Sequence, residues 1–563
     1  MTHPFKEKYS VSRVEALCIE RVPRGILNSE EYFATKEESH LPVEHLPISA
    51  LPGINRLTLD AIAGKAAQFF PNAAVAQEMG AQHRSELVKI LAAQNPDSTA
   101  ALEQLAGGAS AVVTGQQVGL FGGPLFTPLK AATALAHARK FSEAGKPHVG
   151  IFWLASEDHD FAEVNHTTLP GKRELVRLAY TAQHAADVPV GGIAFDESIV
   201  ALAERATELI GFSDAAEALQ AAYRPGRTMA QAFADFYAKV FAADGLLRFD
   251  PHTRAAHELG APVLRAAIER VDELHAALVE RNAELTAAGY TPQVMVGEQS
   301  SLLFLINAKT GAREALKRTA PSADEPKGFW QAGRERYSTD ELLAILAAEP
   351  ERISPSALLR PVFQDFLLPT TIYVGGPAEI AYFAQSEVLY QRILGRVTPI
   401  RPRFSATLIE PAIAELMKRH ELELSGLFGK TIDDLAQLLG ARALPIEGKR
   451  KLASAGNALD AELTELVAWM KTVDEGLGSS GERSASKMRY QMNRMRRVAA
   501  RFALEKETAL GRHAEAIVHA LYPEGHLQER VIGAPYFLAR YGFELTRRFE
   551  ENALTEGHAI LWL

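Results

Sequence analysis

The chain has 563 residues, 47% hydrophobic and 23% charged, with a net charge of -9. That length exceeds one ordinary core, so two or three structural units are expected. The acidic balance argues against a nucleic-acid partner, and the absence of an apolar run of about 18 residues or a signal-peptide profile points to a cytoplasmic protein with no membrane partner.

Residues 1 to about 105 are Ala-rich and read as helical, broken at "LPISALPG" and "FFPNAA". The one cysteine, Cys18, excludes an intramolecular disulfide or a cysteine metal cluster, and within "VEALCIE" it reads as packing. "GASAVVTG" (108–115) reads as an apolar strand. Pro124 then opens a long helix that closes at Gly145, because proline suits a first helical turn and glycine a C-terminal cap. "KPHVGIFWLAS" (146–156) is a second β-type run. Strand, glycine loop, helix and strand make a βαβ unit, the seed of a parallel sheet and an α/β fold.

The stretch from about 196 to 290 reads as mostly helical, and further β-type runs come at "TPQVMV" (291–296), "SSLLFLI" (300–306) and "TTIYVGG" (370–376). "RPRFSATLIEP" (401–411) reads as a linker. Beyond it, Leu452, Leu459, Leu463, Leu466, Met470, Val473 and Leu477 recur at steps of seven, four and three. Met488, Met492, Met495, Ala499 and Phe502 do the same after "GLGSSGE", which reads as a turn. The pattern predicts an antiparallel helical hairpin with an a/d seam, whose uncovered side packs on a second copy to form a homodimer. Its basic run "KMRYQMNRMRR" (487–497) reads as a solvated flank in preference to an RNA arm. "HAILWL" at the C-terminus reads as a strand returning to the core. The expected units are 1–409, a catalytic core with an N-terminal helical region and inserts; 410–522, the coiled-coil hairpin; and 523–563, the return to the core.

Three stretches carry candidate chemistry. In "TGQQVGLFGGPLFTPLK" the glycines Gly115, Gly119, Gly122 and Gly123 would let backbone approach an anion, with Gln116, Gln117 and Lys130 as further donors near a helix N-terminus. The spacing matches neither GxGxxG nor GxxxxGK[ST]. In "WLASEDHDFAEVNH" the residues Glu157, Asp158, His159 and Asp160 crowd at a strand end, and His159, Glu163 and His166 would share one face if the stretch were helical. His159 with a neighbouring acid suits general acid/base work; two histidines and an acid could instead hold a divalent metal, and capping by the acids is the plainest alternative. In "LLRPVFQDFLLPTTIYVGGPAEIAYFAQ" (358–385), Gly375 and Gly376 precede a second helix with Glu379 in its first turn and Gln385 further along. Arg360 could clamp a carboxylate and Asp365, beside Gln364, could orient an amine, or an Arg–Asp pair could simply tie segments together.

These motifs, with the late "LYPEGHLQERV" and "YFLARYG", resemble in sequence and order the bacillithiol biosynthesis cysteine-adding enzyme family, the cysteine ligases, over most of the chain. The resemblance implies a Rossmann-like core similar to class I aminoacyl-tRNA synthetases, with helical inserts and a coiled-coil hairpin that mediates homodimerisation. It implies joining of the L-cysteine carboxyl to the amine of glucosaminyl malate, with ATP and magnesium activating the carboxyl and no tightly bound metal. ATP phosphates would lie near Gly115 to Gly123, His159 would take the amine proton, and Arg360 would grip a malate carboxylate. Arg403 and Ser405 lie where a second ATP-binding loop would fall. Gly533 departs from the asparagine common in the family and is not counted as functional. Two other readings stay open: a metal-dependent hydrolase using His159, Asp160 and His166, and a non-catalytic dimeric scaffold that binds a nucleotide or sugar.

Overall fold

The computed structural model describes residues 43–70, 79–181, 187–319 and 328–563; Cys18 lies outside them. Ser110–Gln116 (β1) and His148–Leu154 (β2) are buried almost throughout, as strands covered on both faces must be. Between them runs Phe126–Glu143 (α1), which starts two residues later than Pro124. Pro124 is instead bridged to Gly533, and the Leu125 N–H donates to the Ile532 carbonyl, so the helix entry is sewn to the C-terminal region. Leu247–Phe249 (β3), Thr370–Gly375 (β4) and Ile400–Pro402 (β5) complete an all-parallel sheet ordered β5-β4-β1-β2-β3. The strand order therefore reverses between β1 and β4. Crossover connections leave that edge in opposite directions, opening a crevice at the strand carboxyl ends where doubly wound sheets hold ligands.

Pro377–Leu394 (α2) leaves β4 at this crevice. Its first turn is closed by the Glu379 carboxylate, which accepts from the Gly376 N–H at 2.7 Å. Two inserts interrupt the run of parallel strands. An antiparallel hairpin, His166–Pro170 with Leu175–Ala179, follows β2. A five-stranded antiparallel sheet built on Ser300–Ile306 and Arg313–Thr319 precedes β4.

Several sequence expectations fail for identifiable reasons. "TPQVMV" forms no strand, because the Gln385 amide takes both the N–H and the carbonyl of Val294 (2.9 Å each) that a neighbouring strand would need. The helical middle hides β3, three residues too short to show a period. In the N-terminal stretch Val43–Leu46 is a strand, while Arg56–Ile62, Ala81–Gln94 and Thr99–Ala106 are helices. Residues 401–411 are no linker: they join β5 to the strand Ser405–Ile409, which lies parallel to His558–Trp562 in a small sheet completed by Val43–Leu46. The C-terminal strand does return to the core.

The long hairpin is Ile446–Val473 (α3) and Glu475–Lys506 (α4), with the reversal at Asp474. "GLGSSGE" is thus helix, not turn. Its glycines allow close crossing: a Cβ at Gly481 would lie 2.7 Å from Met470 Sδ. The seam splits accordingly. Leu463 and Met492 are buried with Gly456, Gly478, Gly481 and Ala485, whereas Leu466, Val473, Leu477, Met488, Met495 and Phe502 face outward beside Trp469. Part of the basic run is taken up locally, Arg489 donating to Asp460 at 2.6 Å. Among the described residues no helix is long and apolar enough to cross a membrane.

Candidate active site

A cavity of about 480 Å³ opens at the β1/β4 crevice. One wall is cationic. Lys130, on the buried face of α1, turns its ammonium back to the strand ends, where it donates to the Gly115 carbonyl at 2.7 Å and to Gln116 Oε1 at 3.1 Å, and pairs with the Glu379 carboxylate. All three ammonium protons are spent, the condition for burying such a charge. Burial pulls the Lys130 ammonium below its ordinary value and Glu379 opposes this. Burial would raise Glu379, but Lys130, the Tyr373 hydroxyl at 2.6 Å and the Gly376 N–H bring its carboxyl net below the usual range. Gly115 is tightly enclosed, since a Cβ would sit 3.1 Å from the Tyr373 hydroxyl and 3.3 Å from the Trp153 carbonyl, and a neighbour would have to give way slightly.

Arg360 lines the same wall and is fixed by Gln364 Oε1 (2.9 Å) and the Tyr382 hydroxyl (2.7 Å). Gln364 in turn donates to Asp365 at 3.0 Å, whose other oxygen accepts from Tyr390 at 2.6 Å. Gln364 and Asp365 are wholly buried behind the wall and orient Arg360 without lining the cavity. Arg403 completes the wall, clamped by buried Glu529 at 3.1 and 2.5 Å. Ser405 also donates to Glu529, at 3.0 Å, and lies outside the cavity lining.

The opposite wall carries acids and imidazole at the end of β2. Glu157 lines the cavity and meets the fully buried His257 at 2.6 Å. Burial works to raise the Glu157 carboxyl, but the His257 ring with His252 and Arg313 together bring the net shift downward. Asp158 accepts from the Gln117 amide (2.8 Å), which also reaches Glu163 (2.8 Å). His159 is about one-third exposed, and its Nδ1 lies 3.2 Å from Arg313 and 3.6 Å from Asp158. Arg313 is held by Ser354 and the Pro355 carbonyl and stacks on Phe304, 3.7 Å from the ring centroid.

The crevice thus gathers Gly115, Gln116, Gln117, Lys130, Glu157, Asp158, His159, Arg360, Gly376 and Glu379, and leaves other candidates elsewhere. Gly375 is not in the lining; a Cβ there would press on Ile400 at 2.8 Å. Gly119, Gly122 and Gly123 form no cradle. Their N–H groups are spent within the loop, and Gly122 is clamped by the hydroxyls of Tyr223 (2.8 Å) and Tyr237 (2.6 Å). Gln385 is the tie at Val294 and does not reach the cavity. Asp160 caps the single turn Phe161–Val164. That turn ends before His166, which begins a strand, so His159, Glu163 and His166 share no helical face and His166 falls in a neighbouring chamber. Among the described residues no group of three or more His, Cys, Asp or Glu side chains could hold a metal ion. His159, Asp160 and His166 are therefore not assembled as a ligand set.

Sequence reading missed Arg313 and Phe304, which arrive from an ordinary alternating strand pair in an insert. It also missed His257, on a helix a hundred residues beyond its partner. Gly533 presses on Thr167 and Leu169, where a Cβ would lie 3.1 Å from Leu169 Cδ2, which accounts for the absence of a side chain in this chain.

A Rossmann-like domain followed by a coiled coil defines the class. Residues 62–404 match "Bacillithiol biosynthesis BshC, N-terminal Rossmann-like domain" and residues 406–561 match "Bacillithiol biosynthesis BshC, C-terminal coiled-coil domain". Proteins named "Putative cysteine ligase BshC" are 41% identical in Koribacter versatilis (91% of this chain, 97% of that one), 36% in Solibacter usitatus (90% and 96%) and 31% in Salinibacter ruber (77% and 78%). The chain belongs to the BshC family of bacillithiol biosynthesis. A solved chain described as an arginyl-tRNA synthetase of Campylobacter jejuni aligns at 10% identity with a TM-score of 0.23, covering 85% of this chain and 100% of that one, a likeness too slight to argue from.

Proposed function

We propose that this protein is an ATP-dependent cysteine ligase that forms an amide between the L-cysteine carboxyl and the amine of glucosaminyl malate. The observation that carries the reading is the polarity of the cavity, with Lys130, Arg360 and Arg403 facing Glu157, Asp158 and His159 across one crevice. A free carboxylate is a poor electrophile, so ligation needs it activated, and a fixed cationic wall suits the charge that develops on a departing phosphate. The charge of this wall suits a nucleotide's phosphates, with magnesium carried in on them, since such ions are usually held by phosphates and one or two carboxylates. In this reading activation proceeds through an adenylate, as in class I synthetases. The amine nitrogen then attacks the activated carbonyl carbon, the bond to AMP breaks, and the amine proton passes to His159 with Asp158 beside it. The hairpin's outward apolar stripe supports a homodimer, because exposed apolar surface of that extent marks an interface. A cytoplasmic location follows from the same reading.

The test is to incubate the protein with ATP, magnesium, L-cysteine and glucosaminyl malate and to follow thiol product and nucleotide by mass spectrometry. Product with equimolar AMP is expected. ADP would replace the adenylate by an acyl phosphate, and no product under any nucleotide condition would leave the scaffold reading in its place.

A further inference from the structure

Beside the main cavity lies a second chamber of about 360 Å³, between the hairpin that follows β2 and the segment 524–531. The two spaces share Gln116, Gln117, Phe126, Glu163 and Arg530 as a common wall. Gln117, donating to Asp158 on one side and Glu163 on the other, is the polar part of that partition. The chemistry proposed above does not use this chamber, whose lining carries Arg177, Arg530, His166 and His526 together with the carboxylates of Glu163 and Glu524.

The arginines divide into two kinds. Arg313, Arg360 and Arg403 are each locked by at least two hydrogen bonds to protein atoms, so their directions are fixed and much of their donor capacity is used. Arg177 and Arg530 make no side-chain hydrogen bond or ion pair among the described residues. Each nevertheless sits on a rigid support. Arg177 is opposite Thr168 in the hairpin register, and Arg530 follows Glu529, which is anchored by Arg403, Ser405 and the Ala406 N–H. Both guanidiniums are solvent-exposed and open to a ligand on the same chamber, and the fork of each matches one carboxylate bidentately. The partly buried His166, lowered by burial and then by Arg177, adds an uncharged polar group to the same lining.

We propose that this chamber receives a short dicarboxylate borne by the amine substrate, Arg177 and Arg530 each taking one carboxylate, while the amine reaches past Gln117 and Phe126 toward His159. The identity of the substrate that carries the dicarboxylate rests on the ligase reading; the chamber and its two arginines do not. This assignment moves acceptor recognition away from Arg360, whose guanidinium is already committed to Gln364 and Tyr382.

The experiment measures binding of L-malate and of L-lactate, which has one carboxylate, by calorimetry to the full chain and to the variants R177Q, R530Q and R360Q. Arg177 lies exposed on the hairpin, so its replacement does not threaten the fold. Malate is expected to bind well above lactate, and R177Q and R530Q each to weaken malate by about tenfold or more, the loss of a charge-assisted pair. R360Q should leave malate binding unchanged. In the ligase assay R177Q should raise KM for the acceptor with KM for cysteine unmoved. Malate binding that is absent from the full chain, indifferent to both arginines, or abolished by R360Q alone overturns the proposal. If malate binding depends on Arg177 and Arg530 but no amide forms, the ligase reading fails and the chamber stands. If amide forms with an unaltered acceptor KM in both variants, the chamber fails and the ligase stands.

Discussion

Lys130 and Glu379 form a buried ion pair across the point where the strand order reverses, joining the helix after β1 to the helix after β4. The pair is at once a strut between the two halves of the sheet and part of the cavity's cationic wall. Breaking one side strands a buried charge, which costs about 3–5 kcal/mol. Lys130→Met should therefore lower stability by about that amount in denaturant titration and abolish ligation. Lys130→Met with Glu379→Gln should recover much of the stability and none of the activity. Recovery of activity in the double variant would show the pair to be structural only.

His159 contacts the cavity with about one-third of its side chain exposed, and its polar neighbours are Arg313 and Asp158. His159→Ala should leave the melting temperature nearly unchanged and reduce turnover by about 10²–10⁴, the usual worth of a general acid or base. Wild-type turnover in that variant would remove the proton-transfer role.

Glu529 is buried among Arg403, Ser405 and the Ala406 N–H. Burial tends to raise its carboxyl, but Arg403, His558 and the Ala406 N–H together bring the net shift downward. A depressed folded pKa stabilises at pH above the unfolded value, about 4.3 for glutamate, and that contribution is lost as pH falls through the folded value. Glu529→Gln should thus cost about 3–5 kcal/mol at neutral pH by leaving Arg403 unpaired. The gap from wild type should begin to narrow as pH falls below about 4.3, where the unfolded chain's carboxyl takes up a proton, and close as pH passes through the lower folded value. Unfolding curves at several pH values would show the convergence.

Gly122 has φ +85° and no space beside it, since a Cβ would lie 2.7 Å from Phe236 Cε1. Gly122→Ala should lose about 1–3 kcal/mol to overpacking as well as to backbone strain, although Gly122 touches no ligand in the present reading. Its kinetic effect should appear as reduced active fraction, not altered KM.

Trp469 and Val473 are 60% and 57% exposed on the outer stripe of the hairpin. Replacing both by aspartate should convert a dimer to a monomer in sedimentation without unfolding the hairpin, whose inner contact runs through Leu463, Ala485 and Met492. A dimer that survives both changes would place the interface elsewhere.

The βαβ seed, the glycine-proline helix start at Gly376 and Pro377, the paired long helices and the acid–imidazole cluster at a strand end were all legible in the sequence. Each is local: burial on both strand faces forces continuous apolar runs, helix ends demand proline and glycine, and a helical seam repeats within a few residues. The glycine-rich loop shows the limit of such reading, because composition permits both a ligand cradle and a tight turn. Only the packed aromatics Tyr223, Phe236 and Tyr237, from more than a hundred residues downstream, decide that Gly122 turns inward. Likewise Lys130 meets Glu379, Glu157 meets His257, and His159 meets Arg313 across separations of about a hundred residues or more. No sequence period encodes such contacts. The chain's local patterns determined which elements form; the reversal of strand order between β1 and β4, a property of the whole sheet, decided which of their side chains face one another.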